Sequence, residues 1–438
     1  FVVGNFNFKI LQNMTTLLKS ATIIDSSSQY HKQIKDILII NGKIDKIANK
    51  IQNKPSYKVV ELENLHVSCG WFDTSVSLGE PGYEERETIQ NGLSVASKSG
   101  FTSIALNPNT FPVIDSKSHI EFLINKASNS ATSLYPIGAL TKLSDGKEIA
   151  ELYDMQQSGA IAFGDYNKPI ENDNLMKIAL LYAQNFDGLV IAFAQDSNIK
   201  GNGVANEGIV STKIGLEGIP GLSEEIMINR DLLINQYHMS RLHFNVISSK
   251  NSVDALANAK KNQNNISCGT SIFHLLFDDG QLNEFDNSFK TLPPFRTIND
   301  RNALLEGVKN GVIDVITSNH QPHEDEINEV EFSESPFGII GTQVCFPLAI
   351  THLKDYLGLE KIIQCMSINP RTILQCEVPI IEIGHKVDVT LFNPSKKWTY
   401  NIENNNSKSS NTPLFGSELT GFVYGTIVGS NYHKNLPD

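Results

Sequence analysis

Cysteine is scarce in this sequence. The five present (Cys69, Cys268, Cys345, Cys365 and Cys376) are odd in number, widely spaced and free of any Cys-x-x-Cys pair. Such spacing supports neither a disulfide framework nor a structural zinc knuckle, and it fits a reducing cytoplasm. Positive charge is also in short supply: 36 Lys and Arg against 48 Asp and Glu leave a formal net charge of −12. Nucleic-acid phosphates and anionic membranes are bound by clustered basic residues, so neither is an expected partner. No apolar run reaches the roughly 18 residues of a membrane-spanning helix. Residues 1–13 lack the basic start and small-residue cleavage site of a signal peptide, and the first Met is Met14. They are expected to be an upstream extension. What is plentiful is apolar: 40% hydrophobic with 19% charged is a globular composition. At about 150 residues per domain, the length allows two or three domains or one large barrel.

Short β-rich runs fill the start of the chain, at Thr16–Ile24, Asp36–Ile40 and Lys43–Ile47, and Asn41-Gly42 between the last two is a hairpin signal. A matching stretch returns near the C-terminus at Val387–Phe392 and Gly421–Val428. Both ends together predict one small β domain from residues 14–65 and 376–438. Residues 66–375 alternate strand and helix patterns. Candidate strands are Val67–Asp73, Thr102–Leu106, Leu134–Ala139, Ala160–Phe163, Leu189–Phe193, Leu242–Ile247, Asn265–Gly269 and Val312–Thr317. Helical patterns follow several of them, as at Glu84–Ser99 and Asn299–Asn310. Eight such units predict an α/β fold, a (β/α)8 TIM-type barrel, with a β-sandwich-like domain formed by both termini. Active-site residues are then expected where the strands end. The Gly-containing stretch from Gln195 to Glu225 reads as a long mobile loop above that face, with Gly201-Asn202-Gly203 as a loop signal and not a phosphate cradle. Glu84-Glu85-Arg86-Glu87 reads as a solvated first helical turn.

At the strand ends the sequence resembles the dihydroorotase family of the cyclic amidohydrolases, from about Thr15 to Gly429. The resemblance rests on Gly82-Tyr83-Glu84-Glu85-Arg86-Glu87-Thr88, Gly100-Phe101-Thr102, Asn107-Pro108-Asn109-Thr110 and Phe289-Lys290. Pro293-Pro294-Phe295-Arg296, His320-Gln321-Pro322-His323, Pro336-Phe337-Gly338-Ile339-Ile340-Gly341 and Asn369-Pro370 continue it in order. It implies a metal-dependent barrel that interconverts N-carbamoyl-aspartate and dihydroorotate in pyrimidine synthesis. Hydantoinase-like proteins, some of them non-enzymatic, are a more distant likeness.

Hydrolysing a cyclic amide at neutral pH calls for a Lewis acid and a strong nucleophile, which a zinc pair held by imidazoles and carboxylates supplies. The family's Asp-x-His-x-His-x-Arg-x-Pro-Gly reads here from Asp73 to Gly82, with Ser75 and Ser77 at the histidines and Gly79 at the substrate-binding Arg. The bridging acid falls on Tyr166, with a one-residue shift to Asp165 left open; the next two histidines fall on Phe193 and Val246. The catalytic aspartate falls on Asn319, an amide that cannot take up and return a proton. The substrate-side Asn before the double proline is Leu292. No orphan ligand remains, and Phe193, Val246 and Tyr166 are expected to fill the vacated volume. The expectation is therefore a dihydroorotase fold without its metals or cofactors, kept as a structural or regulatory partner. The resemblance suggests a homo-oligomer and an aspartate transcarbamoylase as partners.

Asn109, His323, Pro336 and Gly338 stand at family substrate positions and are candidates for a residual pocket for a small carboxylate. The competing reading makes Asn109 a turn cap and His323 a hydrogen-bonded loop residue. An atypical cyclic-amide hydrolase is the alternative function. A displaced metal site at His274, His320, His323 and Glu324, or a Ser75 or Ser77 nucleophile with His320 as base, are the weaker variants.

Overall fold

The computed structural model describes residues 15–324, 326 and 330–435. The proposed extension, residues 1–13, lies outside them. Asn41 and Gly42 take positive φ values of 50° and 76°, the left-handed pair that a two-residue hairpin needs. They join strand β2 (Ile34–Ile40) to β3 (Lys43–Ala48), and β1 (Thr15–Ile24) pairs antiparallel with β2. Strands β4 (Lys58–Val60) and β5 (His66–Cys69) pair parallel with β1.

The chain then enters the barrel through β6 (Trp71–Val76), β7 (Phe101–Leu106), β8 (Ser133–Gly138), β9 (Ala162–Phe163) and β10 (Leu189–Ala192). A small parallel pair, β11 (Ala205–Asn206) and β12 (Gly218–Ile219), precedes the last barrel strands β13 (Arg241–Phe244), β14 (Ile266–Ser271) and β15 (Val315–Thr317). Strands β16 (Asp388–Thr399), β17 (Glu418–Val428) and β18 (Asn431–Lys434) finish the chain.

Two eight-stranded sheets result. One runs β15-β14-β13-β10-β9-β8-β7-β6, all parallel, and a parallel bridge between Val76 and His320 brings its ends together. Asp73 straps that seam, since its Oδ1 accepts from Thr317 Oγ1 and from Ser318 N at 3.2 Å. The other sheet runs β18-β17-β16-β5-β1-β2-β3, with β4 beside β1, so the two termini build one domain as the sequence predicts. Alternation along β1 sends Leu18 to one face and Leu17 to the other, where each joins a separate apolar cluster.

The helices carry the cap residues that start them: Thr88 accepts from Asn91 N, Asn172 from Leu175 N, Ser249 from Ser252 N and Thr297 from Asp300 N. Their inner faces and the outward strand residues form the main core, in which Trp71 stacks on Phe346 at 4.3 Å. Inside the barrel, Phe72, Ala105, Ile137, Ala162 and Leu189 pack together and against Leu374.

Three expectations are corrected. The predicted strand Val67–Asp73 is two strands that part at Gly70, because the chain changes sheets there. A Cβ at Gly70 would lie 2.1 Å from Asp388 Oδ1, so no side chain fits at the crossing. The helix predicted from Glu84 starts at Ile89. Residues 84–86 form a turn, and Glu87, far from being solvated, is fully buried and accepts from Asn91 Nδ2, Ser407 Oγ and Lys408 N. The stretch 195–225 is a folded excursion containing β11, β12 and helices Ser197–Lys200 and Ile209–Ile214. Buried Arg296 pins it, donating from Nη1 to Asn206 Oδ1 at 3.0 Å and to Ile219 O. Glycines that read as mobility serve here as turn formers, such as Gly215 with φ of 74°.

Candidate functional site

The C-terminal ends of the barrel strands bring four side chains from distant parts of the chain to one point. Ser75 projects from β6, while Asn107, Asn245 and Asn319 each sit one or two residues past the ends of β7, β13 and β15. The Ser75 hydroxyl is fully buried and fully used. It accepts from Asn107 Nδ2 at 3.2 Å and Asn245 Nδ2 at 3.0 Å, and it donates to Asn319 Oδ1 at 3.1 Å. That is one donor and two acceptor sites, the complete capacity of a serine. Asn107 Nδ2 also reaches Ser77 Oγ at 3.3 Å. Asn319 holds φ of 48°, with its N–H on Thr317 Oγ1. Asn245 Oδ1 is buried without a hydrogen-bond partner among the described residues.

Around this hub the remaining positions are packed. Tyr166 donates to Gln321 Oε1 at 2.9 Å, and burial pushes its phenol up to about 12. Phe193 packs with Ile219, Leu292 and Phe337, and Val246 is buried. Asp165 faces elsewhere: its Oδ1 accepts from Leu140 N at 2.8 Å and Thr141 N at 3.0 Å, while Oδ2 accepts from Thr141 Oγ1. Both oxygens are committed to the loop after β8, even though burial raises the group above the usual carboxylate range.

The four residues weighed as a displaced metal site are each engaged separately. His274 bridges Ser271 Oγ at 2.7 Å and Pro293 O at 2.9 Å, and burial pushes it down to about 4. His320 Nδ1 accepts from Gly341 N at 3.1 Å, and burial pushes that ring down to about 3. His323 Nε2 donates to Phe337 O at 2.9 Å, and Glu324 accepts from Arg86 Nε at 2.8 Å. A base for Ser75 is also missing from its contacts, because its proton points at the amide oxygen of Asn319, which takes no proton at neutral pH.

Among the residual-pocket candidates, Asn109 Oδ1 and His323 Nδ1 are buried without partners among the described residues. Gly338 lies against His323: a Cβ there would sit 2.5 Å from Nε2. Pro336 is half-buried two residues before it. At Gly79 a Cβ would meet Tyr83 O at 1.7 Å, so that turn excludes any side chain. Asn107 and Gln321 lie in motifs that carry the resemblance but are not among the predicted site residues, and neither is Asn245, whose signal is its position just beyond a strand's C-terminal end.

Residues 66–252 match the family model described as dihydro-orotase-like. A dihydroorotase of Syntrophus aciditrophicus (strain SB) is 37% identical over 418 residues, covering 95% of this chain and 98% of the relative. One from Acetivibrio thermocellus is 35% identical over 418 residues with the same coverage. Among solved structures, the L-hydantoinase (dihydropyrimidinase) of Arthrobacter aurescens superposes with a TM-score of 0.83 at 18% identity over 95% of both chains. The dihydropyrimidinase of Brevibacillus agri NCHU1002 gives 0.81 at 18% identity, covering 96% of this chain and 95% of that one. The last two show a shared fold.

Proposed function

This chain belongs to the dihydroorotase family of cyclic amidohydrolases, and from that premise we propose that it serves pyrimidine synthesis as a structural or regulatory partner and not as a zinc-dependent catalyst. The observation that carries the reading is the donor set at the six positions the resemblance marks. Ser75 and Ser77 offer neutral hydroxyls, and every hydrogen-bonding site of Ser75 is already engaged. Tyr166 stays a phenol at neutral pH, because burial pushes it to about 12. Phe193 and Val246 have no lone pair to give, and Asn319 is an amide. Zinc favours thiolate, imidazole and carboxylate, so these residues do not fit a zinc pair. Gly79 adds a second support: the turn it occupies has no room for the Arg that would clamp a substrate carboxylate. The partner this reading names is an aspartate transcarbamoylase, with a second copy of the chain alongside.

A second reading is favoured by the full-length likeness to curated dihydroorotases at 37% and 35% identity. In it the chain is a cyclic-amide hydrolase with an atypical site, or a binder of small acids. Asn109 Oδ1, Asn245 Oδ1 and His323 Nδ1, without partners among the described residues, are its candidate contacts. One preparation of the full chain separates the two, assayed for zinc by elemental analysis, for turnover of dihydroorotate and carbamoyl-aspartate, and for co-elution with aspartate transcarbamoylase. Zinc far below one per chain, no turnover and co-elution are expected. Turnover that a chelator abolishes would overturn the zinc-free reading; turnover that survives the chelator would establish the second.

A further inference from the structure

At the end of the barrel away from the strand C-termini, a cavity of about 610 Å³ opens between the terminal sheet and the barrel wall. Its walls are β4 and β18, one face of helix Ile89–Lys98, and the turn at 129–131 that leads into β8. In a chain of net charge −12, this lining is anomalous: Lys58, Lys98 and Lys434 face it with His433, and among the described residues no Asp or Glu does. None of the three lysines is in an ion pair among the described residues. Lys58 Nζ instead lies 5.3 Å from the Tyr432 ring centroid, and Lys98 Nζ donates to Asn406 Oδ1 at 3.3 Å. Like charges gathered in a concave site without counter-ions raise the local concentration of anions.

The other groups narrow the anion. Ser94, Ser97 and Asn129 add neutral polar side chains to the lining. Tyr432 presents a half-buried aromatic ring, a surface on which a planar base stacks. Burial and the nearby Lys58 hold His433 below its ordinary value, which leaves a neutral ring able to hydrogen-bond. Ammonium groups on flexible stems are point charges suited to phosphate. The volume falls within the roughly 300–1,000 Å³ of small-molecule sites. We propose that this cavity binds a nucleoside polyphosphate, with its phosphates on Lys58, Lys98 and Lys434 and its base against Tyr432. The site is separate from the barrel mouth, and the proposal holds whichever function the mouth performs.

Calorimetric titration of the full chain with UTP and ATP tests it, with uridine and inorganic triphosphate as the separated halves. A saturable one-site heat for a nucleoside triphosphate is expected, weakening as salt is raised and absent for uridine alone. Reversing two charges in K58E/K434E is expected to weaken binding at least about tenfold with an unchanged thermal midpoint, since both side chains are exposed. K98E on the helix is the second variant and is expected to weaken binding by a similar factor; because Lys98 is half-buried at the helix C-terminus, its thermal midpoint is expected to fall. Absence of heat with either nucleotide would overturn the proposal. So would binding that both variants leave intact, which places the ligand elsewhere. Inorganic triphosphate binding as tightly as UTP and ATP would overturn the nucleoside assignment.

Discussion

Ser75→Ala removes the one hydroxyl that ties three asparagines together at the barrel mouth. Its partners are Asn107, Asn245 and Asn319, at 3.2, 3.0 and 3.1 Å, in a fully buried setting. Each neutral hydrogen bond contributes about 1 kcal/mol net, and buried amide groups left unpaired add to the loss, so about 3 kcal/mol is expected. Ser77→Ala is the internal control: its hydroxyl accepts one long bond, 3.3 Å from Asn107 Nδ2, and meets the Tyr166 phenol, so about 1 kcal/mol is expected. Urea denaturation followed by fluorescence suits the measurement, because Trp71 lies in the main core and Trp398 packs against it. The barrel transition should move to lower urea for Ser75→Ala. If its stability stays within about 0.5 kcal/mol of the parent, or if Ser77→Ala costs as much, the hub argument is wrong.

Gly79→Ala forces a Cβ to 1.7 Å from Tyr83 O and should cost about 3 kcal/mol or more, read as a lowered thermal midpoint; an unchanged midpoint refutes the exclusion. Asp165→Ala strips three hydrogen bonds from the loop after β8, so it should destabilise by about 2–3 kcal/mol while leaving bound metal unchanged; altered metal content would restore Asp165 as a ligand. Burial holds His243, His274 and His320 near 3, 4 and 3, against 6.5 for a free ring. Between those values the unfolded chain binds protons the folded one does not, so stability falls as pH drops below 6.5. The slope is up to about 1.4 kcal/mol per pH unit for each ring. His320→Gln should flatten it by about that amount in urea titrations between pH 5 and 6, and an unaltered slope refutes the assignment.

Much of the architecture was legible because it rests on short-range rules. The Asn41-Gly42 pair specifies its hairpin through backbone conformation alone, and cap residues such as Thr88 and Ser249 start their helices from one side chain and one N–H. The eight barrel strands were legible as periodic apolar runs bounded by polar residues. What misled was burial and crossing geometry. The run from Val67 to Asp73 looks continuous because both sheets bury their strands, yet Gly70 divides it. Glu87 looks solvated until Ser407 and Lys408, more than 300 positions away, cover it.

At the barrel mouth the division is sharper. The sequence by itself determined which atoms stand at the six marked positions: two hydroxyls, a phenol, an amide and two hydrocarbon side chains. Among the described residues no helix is long and apolar enough to cross a membrane. Only the tertiary structure decided what those atoms do. Ser75 meets partners that lie 32, 170 and 244 residues along the chain, and hydrogen bonds of that span follow from barrel closure and strand register, not from any local pattern. Asp165 turns away because two backbone N–H groups from a neighbouring loop claim its carboxylate. Three lysines from β4, β18 and the first barrel helix likewise share one cavity because two domains meet there. Side-chain chemistry is written residue by residue, whereas its neighbours are set by how the whole chain closes.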